Sequence, residues 1–373
     1  MHSNLVSFLK EKIFSRKDRA ITFDEFMDAC LYHPRFGYYM RPQPKIGKEG
    51  DYYTSSSVHP VFAETLVHFA VEVFERWQKP FRFCELGAGT GRFAKQFLDA
   101  LAAHAPHLYR EAEYLLVEKS PYHRAQQQEH LQNHREHIRW LDVRQDEQRF
   151  TGMLFSNELF DAFPVHIIEQ RKGELFEVGV TWDEDEEAFA EVFIPLTNEH
   201  MLRYLRHYGF QLVDGQRFEV PLAAVDAFRE ISRWMAAGLW LTVDYGYTNE
   251  ELMLPQYRRG SLLCYSRHRA DDRPLEQPGE KDMTAHVHFD VLSAVAEGEG
   301  WQRIGLLTQA EFLMRAGILE LLVNADSRDP FSPAARKNRA IRQLITPQGM
   351  GGAFHVLTLG KGVPEDVAAL LKR

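Results

Sequence analysis

Gly87, Gly89 and Gly91 stand at alternate positions directly after a short apolar run, 81–86, and directly before a stretch with helical periodicity, 92–103. Glycine at a strand–turn–helix junction lets the backbone come close to a ligand. A dinucleotide fingerprint needs its third glycine at position 92, where Arg92 stands, and no Gly-Lys-Ser/Thr follows to make a phosphate loop. What remains is an acid, Glu85, two residues before a Gly-x-Gly-x-Gly turn. A second acid, Glu118, ends the next apolar run, Leu115-Leu116-Val117, and a third, Asp142, follows Trp140-Leu141. Acids at strand ends suit a ligand with cationic and hydroxyl groups better than one with phosphates. The bland alternatives are a turn that only packs a helix on a strand and, for Glu118, a solvated charge.

This acid-plus-glycine pattern resembles the first motif of class I S-adenosylmethionine-dependent methyltransferases. The resemblance implies S-adenosylmethionine as cofactor, with Gly87, Gly89 and Gly91 against it and Glu85 on its ammonium side, directly or through water. Glu118 is then expected to accept both ribose hydroxyls and Asp142 the adenine amino group.

These residues need a frame to hold them. From position 81 the chain repeats strand, turn and helix: strands at 81–86, 112–117, 138–142 and 152–156, helices at 92–103 and 122–134. This rhythm predicts an α/β fold with a doubly wound parallel sheet. The run 238–245, apolar until Asp244, resumes the sheet, 260–265 and 305–307 are candidate edge strands, and 353–359 is a late strand. Between them, 165–182 and 188–195 read as a hairpin closed by the acidic turn 183–187, and 201–208 and 221–238 as helices. Further helices are expected at 289–297, 309–316 and 333–344. Before the sheet, 4–14, 22–31 and 60–77 carry helical periodicity around a Gly/Tyr/Ser-rich loop, 37–57. The expected organisation is a helical N-terminal cap with a cofactor-covering loop at 1–78 and a Rossmann-like core at 79–373. A β-hairpin and helical insertion at about 166–236 would act with the cap as lids on one core.

Further blocks resemble one group, the MidA-like methyltransferases, relatives of the mitochondrial complex I assembly-factor arginine methyltransferase. They run in order from Phe23-Asp24-Glu25-Phe26-Met27, Leu31-Tyr32-His33-Pro34 and Gly37-Tyr38-Tyr39 through Gly50-Asp51-Tyr52-Tyr53-Thr54-Ser55 and Val61-Phe62-Ala63-Glu64. Ser156-Asn157-Glu158-Leu159-Phe160-Asp161-Ala162-Phe163-Pro164-Val165, Asp244-Tyr245-Gly246, Asp282-Met283-Thr284-Ala285-His286 and Met314-Arg315-Ala316-Gly317 follow. The chain departs from the group's pattern at Ser56, where Pro is frequent, and at Tyr52, where Phe is frequent, which bears on loop shape more than on chemistry. The resemblance implies methylation of arginine in a protein partner, such as a respiratory complex subunit. A guanidinium stays protonated, so it has to be oriented by carboxylates, and Glu158 and Asp161, three residues apart at an expected helix start, are the candidates. Helix capping is their alternative. Asn157, Asp51, Thr54 and Ser55 are expected to contact the cofactor, the last three from a loop that could also be a plain Asx- or Ser/Thr-turn. Methyl transfer needs positioning more than base catalysis; the departing proton would go to Glu158, Asp161 or water, with His166 and His286 as outside candidates. A small-molecule methyltransferase, or an assembly chaperone that binds S-adenosylmethionine with little turnover, are the competing readings.

Composition sets the limits. With 373 residues, 45% hydrophobic, 26% charged and 12% aromatic, the chain is globular rather than disordered. No apolar run reaches the length of a membrane span. A formal charge of −9 weighs against a nucleic-acid partner. Three cysteines far apart and no leader-like start suggest a reducing cytoplasm. His104, His107, His130, His134 and His137 lack nearby cysteines, so no metal is expected.

Overall fold

Runs that are apolar on both faces belong inside a sheet covered on both sides. In the computed structural model, Arg82–Leu86 (β1), Glu113–Val117 (β2), Ile138–Trp140 (β3), Phe150–Asn157 (β4), Met235–Tyr247 (β5), Gln302–Thr308 (β6) and Phe354–Lys361 (β7) share one sheet. The structure describes residues 4–43, 45, 51, 59–143, 146, 148–324 and 329–372.

The strand order is 3-2-1-4-5-7-6, parallel except for β7, which runs antiparallel to both β5 and β6. Its 3-2-1-4-5 part is the Rossmann order, in which the direction of winding reverses between β1 and β4. Leu86 pairs with Ser156 there, so the glycine loop and Asn157 leave the sheet side by side at its carboxyl edge. Helices Val61–Trp77 and Arg92–His104 cover the sheet with Phe62, Leu66, Phe93 and Phe97, and Phe97 meets Phe83 at 4.3 Å between ring centroids.

By its contacts the chain forms two compact units. One comprises Met1–Tyr52, Phe160–Ala227 and Gly246–Leu292, the other Tyr53–Leu159, Phe228–Tyr245 and Ser293–Arg373. These bounds differ from the expected division at residue 79 with an insertion at about 166–236. Ile21–Thr22 pairs with Val180 and Gly179, which joins the N-terminal helices to the inserted strands. Helix Val61–Trp77 instead packs into the core of the sheet unit.

In the first unit, Ile21–Thr22, Glu174–Asp183, His166–Arg171 and Arg217–Val220 line up in that order, and Ala188–Pro195 also pairs with Glu174–Asp183. Helix Phe23–Tyr32 buries Phe23, Phe26, Met27 and Leu31 in a cluster with Ile167, Val178 and Val180. A three-stranded sheet of Arg269–Asp271, Leu263–Ser266 and Asp282–Thr284 completes it. The expected single strand 165–182 is therefore two strands. Lys172 and Gly173, at φ +52° and +82°, turn the chain between them as a tight hairpin requires. The helix expected over 221–238 stops at Trp234, because Met235 and Ala237 pair with β4. The helix expected over 122–134 runs Pro121–His130 and tightens into a 3-10 turn, Gln132–His137. Among the described residues no helix is long and apolar enough to cross a membrane.

Candidate active site

The chain leaves β1 with the Gly87 and Ala88 N–H groups donating to the Val117 carbonyl, at 2.8 and 3.4 Å. Gly91 has φ +76°, and a Cβ on it would lie 2.9 Å from Gln127 Cγ and 3.3 Å from Gln127 Cα. Both conformation and packing therefore require glycine there. Gly87 and Gly89, at φ +66° and +50°, share the left-handed region.

Glu118 accepts the N–H of Gly89 and of Ser120, each at 2.8 Å, and its side chain is 9% exposed. On the other side of the same peptide segment, Gln127 Nε2 donates to the Gly89 carbonyl at 2.6 Å, and the Trp140 indole donates to Gln127 Oε1 at 2.8 Å. The loop is thus gripped at its N–H by a carboxylate and at its carbonyl by an amide. A carboxylate offers about four lone-pair sites, so two N–H donors leave Glu118 room for hydroxyls. Glu85 is buried and accepts the Tyr114 hydroxyl at 2.8 Å. Burial pushes its carboxyl up to about 8 against the Tyr114 hydrogen bond, with Glu118 adding to the rise. A cation brought near would draw it back to the charged form. Asp142 lies just past β3 with its side chain exposed, while Leu141 N–H still bonds the Leu116 carbonyl.

At the end of β4, Asn157 Nδ2 donates to Glu158 Oε1 at 2.9 Å, and its Oδ1 is buried with no hydrogen-bond partner among the described residues. Glu158 takes φ +51°, rare for a residue with a Cβ, and its N–H donates to the Val243 carbonyl at 2.9 Å. Leu159 N–H donates to Asp244 Oδ2 at 3.1 Å, and the fully buried Asp244 also accepts Tyr245 N–H at 2.9 Å. No helix begins here, contrary to expectation. A single turn, Phe163 N–H to the Phe160 carbonyl at 3.4 Å, is followed by Pro164, which disfavours helical backbone before it. Glu158 and Asp161 hence do not share a helix face. Asp161, in the first unit, is buried, and its carbonyl accepts Ala285 N–H at 2.9 Å.

Asp51 accepts the Tyr38 hydroxyl at 2.8 Å and Arg267 N–H at 2.7 Å. Thr54 and Ser55 lie outside the described residues. Tyr39 donates to Asp282 at 2.6 Å, and burial pushes that carboxyl up to about 7. His134 bonds the Tyr109 hydroxyl and Asp99, and His137 bonds the Ala112 carbonyl. Burial lowers His286 to about 4. His166 lies 2.7 Å from Glu177 and 3.2 Å from Asp24, a trio whose potential ligand atoms all fall within 4.8 Å of one another. Burial alone would lower this imidazole, but the Glu177 hydrogen bond and the Asp24, Glu177 and Glu25 charges raise it.

The residues that sequence reasoning missed are Tyr114 and Gln127, and Asp244 was noted without a role. Gln127 sits among Gln126 and Gln128 with nothing local to single it out, and Tyr114 reads as ordinary core. Asp244 did carry a signal, as the acid that ends an apolar run.

A family model described as "Putative S-adenosyl-L-methionine-dependent methyltransferase" matches residues 65–307. The chain is 26% identical to a Drosophila melanogaster protein named "Protein arginine methyltransferase NDUFAF7 homolog, mitochondrial", over 97% of this chain and 86% of that protein. It is 27% identical to the Mus musculus "Protein arginine methyltransferase NDUFAF7, mitochondrial", over 91% of this chain and 80% of that protein. A Burkholderia thailandensis crystal structure, described as a "likely methyl transferase" bound to S-adenosyl-homocysteine, is similar with a TM-score of 0.89 and 31% identity, covering 98% of this chain and 94% of that one. The loop of left-handed glycines between two strand-end acids fits such a cofactor, and the chain uses S-adenosylmethionine.

Proposed function

The chain belongs to the S-adenosyl-L-methionine-dependent methyltransferase family, and on that premise we propose that it methylates an arginine side chain of a protein, in the service of assembling a multi-subunit complex. The cofactor, when bound, supplies a methyl group on a sulfonium. Gly87, Gly89 and Gly91 would hold it by close backbone approach, with Glu85 answering its cationic end and Glu118 its ribose hydroxyls. Asp142 would receive the adenine amino group, the buried Asn157 Oδ1 offers an acceptor, and Asp51, Thr54 and Ser55 would cover the cofactor.

The observation that carries the arginine reading is the Glu158 carboxylate, part-buried on a left-handed bend just past the sheet's switch point. A carboxylate held there can take a guanidinium in bidentate geometry and fix which nitrogen faces the methyl group. Asp161 is the second acid proposed to receive charge or proton. The arginine methyltransferase names of the relatives support the same reading. The three cysteines are free and buried, which suits a reducing cytoplasm or an equally reducing organelle interior.

The test is transfer of radiolabelled methyl from S-adenosylmethionine into the protein and soluble fractions of a lysate. Glu158→Gln with Asp161→Asn is expected to abolish label in protein while S-adenosylhomocysteine still binds. Equal labelling by the double variant would refute these roles. Label confined to the soluble fraction would point to a small-molecule acceptor, and binding without any transfer to an assembly factor.

A further inference from the structure

We propose that Asp244 is a positioning residue for Glu158, holding the 157–159 bend in its left-handed form so that the Glu158 carboxylate faces its substrate. The left-handed region is unfavourable for any residue with a Cβ, so something must over-determine it. Three contacts do so. Glu158 N–H is fixed on the Val243 carbonyl at 2.9 Å, Leu159 N–H on Asp244 Oδ2 at 3.1 Å, and the Asn157 amide on Glu158 Oε1 at 2.9 Å. Asp244 is itself immobilised by accepting Tyr245 N–H at 2.9 Å and is 0% exposed. A carboxylate this deeply buried is costly unless its charge meets fixed donors, and two of its donors are the main chain of the bend and of its own strand.

The same bend reaches the glycine loop. A Cβ on Gly87 would lie 2.8 Å from Leu159 Cδ1, so the Leu159 side chain rests on the backbone at Gly87. Asp244 therefore holds, through Leu159, a tripeptide that presents Glu158 on one side and abuts the cofactor loop on the other. Released from Asp244, Glu158 relaxes to negative φ and its carboxylate swings away, while the Gly89 and Glu118 contacts stay as they are. The consequence for turnover rests on the proposed role of Glu158; the consequence for backbone geometry does not.

Asp244→Asn keeps the volume but turns one acceptor oxygen into an amide donor facing an N–H. The backbone at residue 158 is read from a crystal structure or from its N–H to Hα coupling, alongside S-adenosylhomocysteine affinity and methyl transfer into lysate protein. Glu158 is expected to leave positive φ, and kcat to fall about 100-fold, the scale of a misplacement near 1 Å. Cofactor affinity and the KM for acceptor protein are expected to stay within a few-fold. Asp244→Ser, which retains a hydroxyl for Tyr245 N–H but cannot reach Leu159, serves if the Asn variant does not fold. Retention of positive φ at 158 in the folded variant overturns the proposal, as does loss of cofactor binding in step with kcat. Glu158→Gln, run in parallel, separates the two ideas. If it leaves transfer intact, the arginine-orienting reading falls, and the backbone at 158 still decides the role of Asp244.

Discussion

In the sheet unit, Glu118 and Asp244 accept main-chain N–H groups: Gly89 and Ser120 for the first, Leu159 and Tyr245 for the second. In the other unit, Asp51, Asp282 and Glu177 take titratable side chains as well, namely the Tyr38 and Tyr39 hydroxyls and the His166 imidazole. A backbone N–H neither titrates nor rotates away, so the donors of the first arrangement stay where the main chain puts them. An imidazole does titrate. Glu118 and Asp244 thus fix main chain beside the glycine loop and the bend at residue 158, whereas Asp51, Asp282 and Glu177 hold side chains, one of them an imidazole.

The sharpest way to break the fixed side of this comparison is Gly91→Val. A β-branched residue at φ +76°, with its Cβ against Gln127, is expected to abolish S-adenosylhomocysteine binding in calorimetry and to cost ~2 kcal/mol or more of stability in denaturant unfolding. Binding at wild-type affinity would mean that the loop's exact course is unimportant.

Glu118→Gln is gentler. It leaves one of two N–H donors facing an amide, for an expected loss of about 2 kcal/mol and about tenfold in cofactor affinity, measured by the same two methods. An unchanged affinity would show that this acid only braces the loop.

The smallest effect belongs to the other unit. The folded-state pKa of His166 is raised, so the stabilisation it contributes is present below about 6.5, its ordinary value, and lost as pH rises through the folded value. Asp24, Glu25 and Glu177 are the charged groups that raise it. Wild type should exceed His166→Gln in stability by up to ~1 kcal/mol at pH 6, with the gap closing by pH 9. A gap that does not change with pH would remove the contrast between the units.

Much of the sheet was legible because its strands announce themselves locally as apolar runs, four of them closed by Gly87, Glu118, Asp142 or Asp244. The course of the bend at Glu158 was not. Asn157, Glu158 and Asp161 are residue types that cap helices, and the local sequence reads the same whether a helix follows or not. What decides it is a carboxylate 85 residues away, at Asp244. Likewise Ala236-Ala237-Gly238 looks like the tail of a helix, and only pairing with β4 makes it strand. The division into units was hidden for the same reason, since the pairing of Ile21 with Val180 leaves no trace in either segment.

That pairing also sets a timetable for the growing chain. Phe23, Phe26 and Met27 are made early, yet the strand whose side chains cover them follows on the order of 160 residues later. At ordinary rates of synthesis the interval is about 8–30 s, during which an apolar helical face waits for its partner. Such a nascent segment is a natural client for a chaperone at the ribosome, and the first unit can close only after most of the protein has emerged.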